Sequence, residues 1–264
     1  MLDLVLDRRR YLDRLSTRPA WKRDLVDEFD DSRSTVDRAV DALEDADLIQ
    51  RTEDGYETTY TGELLLETAN EALAVAETAT EWGEVINEFD TEGPREFRFF
   101  AGADVVTMSE FPPAVVWERV RAVVEESDQL RGGAFAPNDE EFMSAVHRRA
   151  VVEGSLDASL VVTEVVADYL AAEMPTRTGD ALDCGNITIS VVTDLPFAWY
   201  IGTGGDRTRG YLMIHGAHDN FVGYAANDDA TAVEWLGSLF ETHRDRGTPL
   251  AAYYGDAGTE LTSR

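Results

Sequence analysis

A chain of 264 residues, 44% of them hydrophobic, has the material for two small packed domains and is not globally disordered. A single cysteine, Cys184, leaves no intramolecular disulfide and suits a reducing cytoplasm. The longest stretch free of Asp, Glu, Lys and Arg (195–205) is 11 residues, against the roughly 18–20 that span a bilayer. The formal net charge is −29, and Asp3 and Asp7 are foreign to a secretory signal.

A first helix is predicted over 3–15, burying Leu4, Tyr11, Leu12 and Leu15, with a break at 16–19. Thr17 is placed as the N-cap of a second helix, with Pro19 in its first turn. In that helix Trp21, Leu25, Val26 and Phe29 share one apolar face. Asp30 and Asp31 make a turn, and Asp31 or Ser32 caps a third helix. At about 100° per residue, Val36, Ala39, Val40 and Leu43 then centre on one side, while Ser34, Asp37, Arg38 and Asp41 cluster almost half a turn away. Residues 48–51 and 56–60 read as two strands around Glu53-Asp54-Gly55, an Asp-Gly hairpin.

Two short helices about a tight turn, followed by a charged β-ribbon, is the order of a winged helix-turn-helix, which lays its second helix in a DNA major groove. Candidate contacts follow from the chemistry. Arg38 can address guanine bidentately and Asp37 can accept from cytosine N4. Ser32, Ser34 and Thr35, with helix-end amides, suit phosphate. Arg33, Lys22, Arg23 and the wing's one cation, Arg51, complete the set. Glu53 and Asp54 at the wing tip repel phosphate and argue against insertion of the wing. The bland alternative is an ordinary solvated helix face.

A long helix over 61–89, about 40 Å, is predicted next, capped by Thr61. Its small-residue stripe (Leu65, Ala69, Ala72, Ala76, Ala79, Gly83, Ile86) reads as a linker and dimer seam, or else as a face packed on the chain's own second domain. Residues 90–94 look like a boundary. Beyond it, strands are expected at 105–109, 130–136, 156–162, 187–192, 197–203, 211–214 and 221–225. Helices are expected at 113–126, 138–152 (opened by Asn138) and 163–173, and from Asp228-Asp229 to 244. Val233, Leu236, Leu239 and Phe240 line the last of these. The expected fold is α/β overall: an N-terminal all-α winged helix-turn-helix with a small β-wing (1–62), a linker and dimerisation helix (61–89), a C-terminal mixed α/β sensor domain (95–254) and a flexible tail (255–264).

Motifs for chemistry are weak. Gly202-x-Gly204-Gly205 precedes a strand and not a helix, so it reads as a hairpin turn and not a phosphate loop. His215, His218 and Asp219 have chelating spacing but no supporting cluster, and Cys184 reads as an inert thiol, so no metal, cofactor or catalytic residue is assigned. His147, Arg148 and Arg149 are candidates for an anionic ligand, the alternative being a solvated helix face.

Charge is distributed unevenly. Residues 8–38 hold nine Arg or Lys against seven acids, whereas residues 63–264 hold 13 against 36. The positive charge lies where DNA would bind. Lys22 is the only lysine beside 22 arginines, and a lysine-poor acidic surface suits solvation in concentrated salt, pointing to an extremely halophilic host. The alternative is an acidic protein from a high-GC genome.

The segment Ser32-Arg33-Ser34-Thr35-Val36-Asp37-Arg38, the Gly55-Tyr56 wing ending in Thr59-Tyr60-Thr61-Gly62, and Asp228-Asp229 leading to Ala232-Val233-Glu234-Trp235 and the 244–250 exit carry a resemblance. The chain resembles archaeal, especially haloarchaeal, winged-helix transcription regulators with a methanogenesis-regulator-type second domain. The resemblance covers most of the chain. It implies a homodimer that binds double-stranded promoter DNA through Ser32, Arg33, Ser34, Thr35 and Arg38, with a small-molecule or partner sensor behind it. The acidic wing tip departs from a basic wing. The rival readings are a winged-helix adaptor for protein contact, without an operator of its own, and an enzyme in the α/β domain, for which no residue pattern speaks.

Overall fold

The computed structural model describes residues 1–87, 97–137, 140–216 and 220–257. The expected boundary at 90–94, the Asn138 helix start, His218, Asp219 and residues 258–264 lie outside them. The chain divides into two compact units, Met1–Glu77 and Thr78–Arg264, and the division falls inside one helix.

The first unit contains α1 (Leu2–Thr17), α2 (Lys22–Phe29), α3 (Arg33–Asp45), the antiparallel pair β1 (Ile49–Thr52) and β2 (Gly55–Thr58), and the first part of α4 (Tyr60–Ile86). Its core joins Val5, Tyr11, Leu12 and Leu15 of α1 to Leu25 and to the α3 stripe Val36, Ala39, Val40 and Leu43. The expected third-helix face is therefore the buried one, while in α1 Val5 takes the central place and Leu4 only flanks it. Thr17 ends α1 instead of capping α2, its hydroxyl donating back to the Asp13 carbonyl at 3.2 Å. The start of α2 is held by Asp24, whose carboxylate accepts from the Trp21 amide at 2.9 Å. That carboxylate lies three residues inside the helix, so it satisfies a free amide without a Ser or Thr cap.

Asp30 takes a left-handed φ of 53° at the turn, and Ser32 caps α3 by accepting from the Thr35 amide at 3.2 Å. Asp31 is taken by a different task. Its carboxylate accepts from the Tyr11 hydroxyl and the Arg10 guanidinium, which lies over the Tyr11 and Phe29 rings. The Tyr11 hydrogen bond, then that of Arg10, holds Asp31 below the ordinary carboxylate value of 3.8.

The hairpin turns at Glu53-Asp54, with Thr52 paired to Gly55, so Gly55 opens β2 instead of forming the turn. Its φ is 133°, and a Cβ there would sit 2.5 Å from the Ala20 carbonyl carbon. That close approach lets Ala20 bridge Tyr56 through two backbone hydrogen bonds, of 3.0 and 2.9 Å. Thr59, not Thr61, accepts from the first amides of α4 (Gly62 amide to the Thr59 hydroxyl, 3.1 Å).

The second unit is a mixed eight-stranded sheet in the order β10-β6-β5-β4-β7-β8-β9-β3. Its strands are β3 (Asp104–Thr107), β4 (Gln129–Ala134), β5 (Asp157–Thr163), β6 (Ile187–Val192), β7 (Ala198–Gly204), β8 (Arg207–His215), β9 (Phe221–Asn227) and β10 (Thr248–Pro249). Only β4-β5 and β5-β6 are parallel pairs. The helices are α5 (Pro113–Glu125), α6 (Glu140–His147), α7 (Glu164–Glu173), α8 (Pro175–Cys184), α9 (Ala230–Arg244) and α10 (Leu250–Ala257), with a π-helical turn, Arg148–Val152, directly after α6. The fold is α/β overall, as the sequence pattern predicts. Additional to that pattern are α8, β10 and α10, the last holding residues 255–257 in helix. Gly204 and Gly205 belong to the β7–β8 hairpin.

Strand alternation divides the core between two faces. Ala198 and Tyr200 pack with Val120, Val124, Phe142 and Val146 of α5 and α6, while Trp199 and Ile201 pack with Leu236 and Phe240 of α9. Asn227, buried at the end of β9, donates to the carbonyls of Phe99 (2.8 Å) and Ala101 (3.0 Å) and accepts from the Asp229 amide, which fixes the start of α9. Asp229 itself is the N-cap, accepting from Thr231 and Ala232. Gly133 in β4 leaves room for the fully buried Trp199, because a Cβ there would lie 2.5 Å from two ring carbons.

Two predictions follow from this packing. Gly133→Ala is expected to cost about 1–3 kcal/mol by forcing the indole aside, measured by denaturant unfolding in molar KCl. Asp31 has a depressed pKa in the folded state. Its contribution is therefore complete above the unfolded value of 3.8 and disappears as pH falls through the lower folded value. Asp31→Asn is expected to lower the melting temperature at neutral pH and to flatten the loss of stability below about pH 4.

Candidate nucleic-acid interface

Burying the Val36 stripe turns the opposite edge of α3 to solvent, and Ser32, Arg33, Ser34 and Arg38 are all exposed there. The three hydroxyls at the helix start form one cluster: Ser32 Oγ lies 3.0 Å from Ser34 Oγ and 2.8 Å from Thr35 Oγ1. Arg33 makes no ion pair or hydrogen bond among the described residues. Arg38 donates from Nε to the Ser34 carbonyl at 3.0 Å, which lays the side chain along its own helix and leaves both terminal amino groups unengaged among those residues. The result is two guanidinium groups beside a hydroxyl cluster at a helix N-terminus, where partial positive charge from the helix also collects. Anionic oxygens are the natural complement of that set.

Other predicted contacts are held differently. Lys22 Nζ meets Asp41 at 2.5 Å and Asp37 at 3.5 Å, so these three groups neutralise one another between α2 and α3. Partial desolvation opposes the lysine's charge, but the Asp41 hydrogen bond and the surrounding charges outweigh it, and its pKa is raised. Asp37 is thus partly engaged within the protein. Arg23 is 81% exposed and pairs, among the described residues, with its neighbour Asp24 at 3.4 Å. Arg51 lies over the Trp21 ring, 5.6 Å from its centroid, and shares a depression with Trp21, Lys22, Arg23 and Tyr56. Arg23 and Arg51, 28 positions apart in sequence, therefore border one basic hollow at the foot of the wing. The sequence alone does not show this grouping, since it depends on the Ala20–Tyr56 bridge. The wing tip stays acidic.

The three candidates in the second unit separate. Arg149 caps the end of α5, donating to the carbonyls of Val124 (2.5 Å), Glu125 (2.9 Å) and Ser127 (2.5 Å) and to Ser155. Arg148 bridges Glu125 (2.5 Å) and Glu153 (2.7 Å). Of the three, His147 alone lines an apolar cavity, and there it is joined by Arg177, a residue no sequence motif marks. Among the described residues no group of three or more His, Cys, Asp or Glu side chains is gathered as for a metal. His215 packs edge-on against Phe135 and Phe221. Cys184 is a free thiol donating to the Ala181 carbonyl at 3.3 Å. Among the same residues no helix is long and apolar enough to cross a membrane.

Two family models match the chain, one in each half. Residues 1–81 match the HVO_A0261 N-terminal domain, and residues 112–246 match the middle domain of the methanogenesis regulatory protein FilR1. No curated protein matches the chain. Among solved structures, TrmBL2, an archaeal chromatin protein, is similar over 94% of this chain and 97% of its own, at 14% identity and a TM-score of 0.42. Nuc from Salmonella typhimurium, a phospholipase D family member, covers 56% of this chain and 97% of its own, at 12% identity and a TM-score of 0.41. NucT from Helicobacter pylori covers 56% and 98%, at 8% identity and a TM-score of 0.40. Likenesses of this strength carry no argument about activity. The FilR1 middle-domain model matches half of the chain, and the chain belongs to the family of the methanogenesis regulatory protein FilR1, with an HVO_A0261-type domain at its N-terminus.

Proposed function

We propose that the protein is a sequence-specific, DNA-binding transcription regulator, acting in the cytoplasm as a homodimer and modulated by a small-molecule effector at its second unit. The observation that carries the reading is the outward edge of α3, where Arg33 and Arg38 stand beside the Ser32–Ser34–Thr35 hydroxyl cluster with no carboxylate among the described residues paired to either guanidinium. In this scheme Arg38 reads a base edge, while Arg33, the hydroxyls, Arg23 and Arg51 hold phosphate. Lys22 serves to fix α2 against α3 through Asp37 and Asp41.

A chain of net charge −29 binds a polyanion only if distant carboxylates are silenced. At molar salt the Debye length falls to about 3 Å, so contacts within that range decide affinity. Dimerisation is supported by α4. Ala72, Ala76 and Ala79 are exposed on it, while a Cβ at Gly83 would meet nothing within 4 Å, so a second helix has room to approach. Two copies of α3 would then enter successive major grooves, and an effector that changes their spacing changes affinity.

One feature favours a second reading, an adaptor that contacts protein instead of DNA: the exposed acidic tip of the wing, Glu53-Asp54. The test separates the two. Operators are first selected from genomic fragments with the full chain in molar KCl. Arg38→Ala is then expected to weaken binding by about 1–3 kcal/mol, with relaxed preference at one base pair. Arg23→Ala is expected to weaken all sequences alike. Glu53→Gln with Asp54→Asn is expected to leave affinity unchanged. Failure to recover any preferred sequence, with the circular dichroism spectrum intact, would favour the adaptor.

A further inference from the structure

In the second unit, α6, α7 and α8 cover the sheet face at β4, β5 and β6 incompletely. A cavity of about 100 Å³ remains, walled by Phe142, Leu160, Val162, Leu170, Ile189 and their apolar neighbours. An apolar void forfeits contacts that an apolar occupant restores, and since cavities of about 150 Å³ in other proteins admit benzene, one of about 100 Å³ has room for about four carbons. Thr178 is buried at the wall, but its hydroxyl is already spent on the Leu170 and Met174 carbonyls, 2.9 and 2.8 Å away. The interior is therefore almost wholly apolar.

The mouth is different. His147 and Arg177 line this cavity and also a wide polar depression beside it that holds Arg121, Arg148, Glu125 and Glu141. In that depression Glu141 is met by Arg121 at 2.8 Å and Glu125 by Arg148 at 2.5 Å. Arg177 donates to the Ser144 hydroxyl at 2.9 Å and has no carboxylate partner among the described residues, in a chain with 52 acidic residues against 23 basic ones. His147 Nε2 is buried and makes no hydrogen bond; Asp180 lies 3.6 Å away, beyond hydrogen-bond range. Buried polar atoms without partners are rare and call for an explanation. The π-helical turn begins at the next residue, a geometry frequent at functional sites.

We infer that this cavity binds a short-chain carboxylate, its alkyl chain between β4–β6 and α6–α8 and its head on Arg177 and His147. A guanidinium and an imidazole nitrogen at the mouth select an anionic head, and the space inside admits a tail of about four carbons. As the effector site of the regulator, the assignment rests on the function proposed above. Binding itself is measured without DNA, so failure of operator recognition and failure of this site give different results.

The experiment is calorimetric titration of the full chain in molar KCl with pentanoate, and with pentanol as the neutral-headed probe. One saturable pentanoate site and a rise in melting temperature are expected. Arg177→Gln is expected to weaken pentanoate tenfold or more while changing pentanol less than twofold. Ala181→Phe, which directs a ring into the cavity from α8, is expected to abolish binding of both; if it does not fold, Ile189→Phe from β6 makes the same test. Absence of saturable pentanoate binding to the unaltered chain overturns the proposal. So does an Arg177→Gln variant that binds pentanoate as well as the parent, or a filled cavity that still binds it.

Discussion

Everything α3 presents outward follows from what it must bury. Val36, Ala39, Val40 and Leu43 are sealed against α1 and α2, each essentially without solvent contact, and the helix has no rotational freedom left. A rotation of one residue, about 100°, would place Asp37 in the core and Val36 in water. Arg33, Ser34 and Arg38 are therefore set at fixed positions on a rigid rod. The Arg10–Tyr11–Asp31 contact adds a second restraint, tying the turn that precedes the rod to α1. Positioning of this kind is what a reader of base edges requires, because hydrogen bonds to a groove tolerate little displacement.

The electrostatics of the first unit show a division that net charge conceals. Lysine appears once, and it is consumed by two aspartates within the fold. Arg14 is likewise committed, to Glu28 at 2.6 Å. The unit's other cations are all arginines, Arg33 and Arg38 on α3 and Arg23 and Arg51 beside the wing among them, and a guanidinium keeps a planar hydrogen-bonding geometry that an ammonium lacks. The second unit uses its arginines in another way: Arg148 and Arg149 brace the end of α5 and the π-helical turn, and Arg177 remains without an acid.

Much of the architecture was legible because periodicity reports burial. The α3 stripe, the β-hairpin, the long α4 and the run of strands from β6 to β9 all follow from apolar spacing and turn residues. Caps were less legible. Thr17 and Thr61 are plausible caps by composition, but Asp24 and Thr59 do the work, because where a chain enters a helix depends on contacts such as the Ala20–Tyr56 bridge. The eighth helix escaped notice because PTRTGDALDC has almost no apolar face, and it is held by Thr178 and by packing on β6. For the same reason Arg177 carried no signal: its importance is its place at a cavity mouth, and its neighbours there lie some 30 residues away in sequence. His147, Arg148 and Arg149 looked equivalent as a basic run, yet three successive positions on a helix point three ways, and only one points into the cavity.

The sheet of the second unit ends at β10, which is just Thr248 and Pro249, set antiparallel against Ser190 and Val191 of β6. Proline has no amide hydrogen, and the chain turns at once into α10. The last strand on that side is two residues long and closes on a residue with no donor, so it offers a stray strand little to template on.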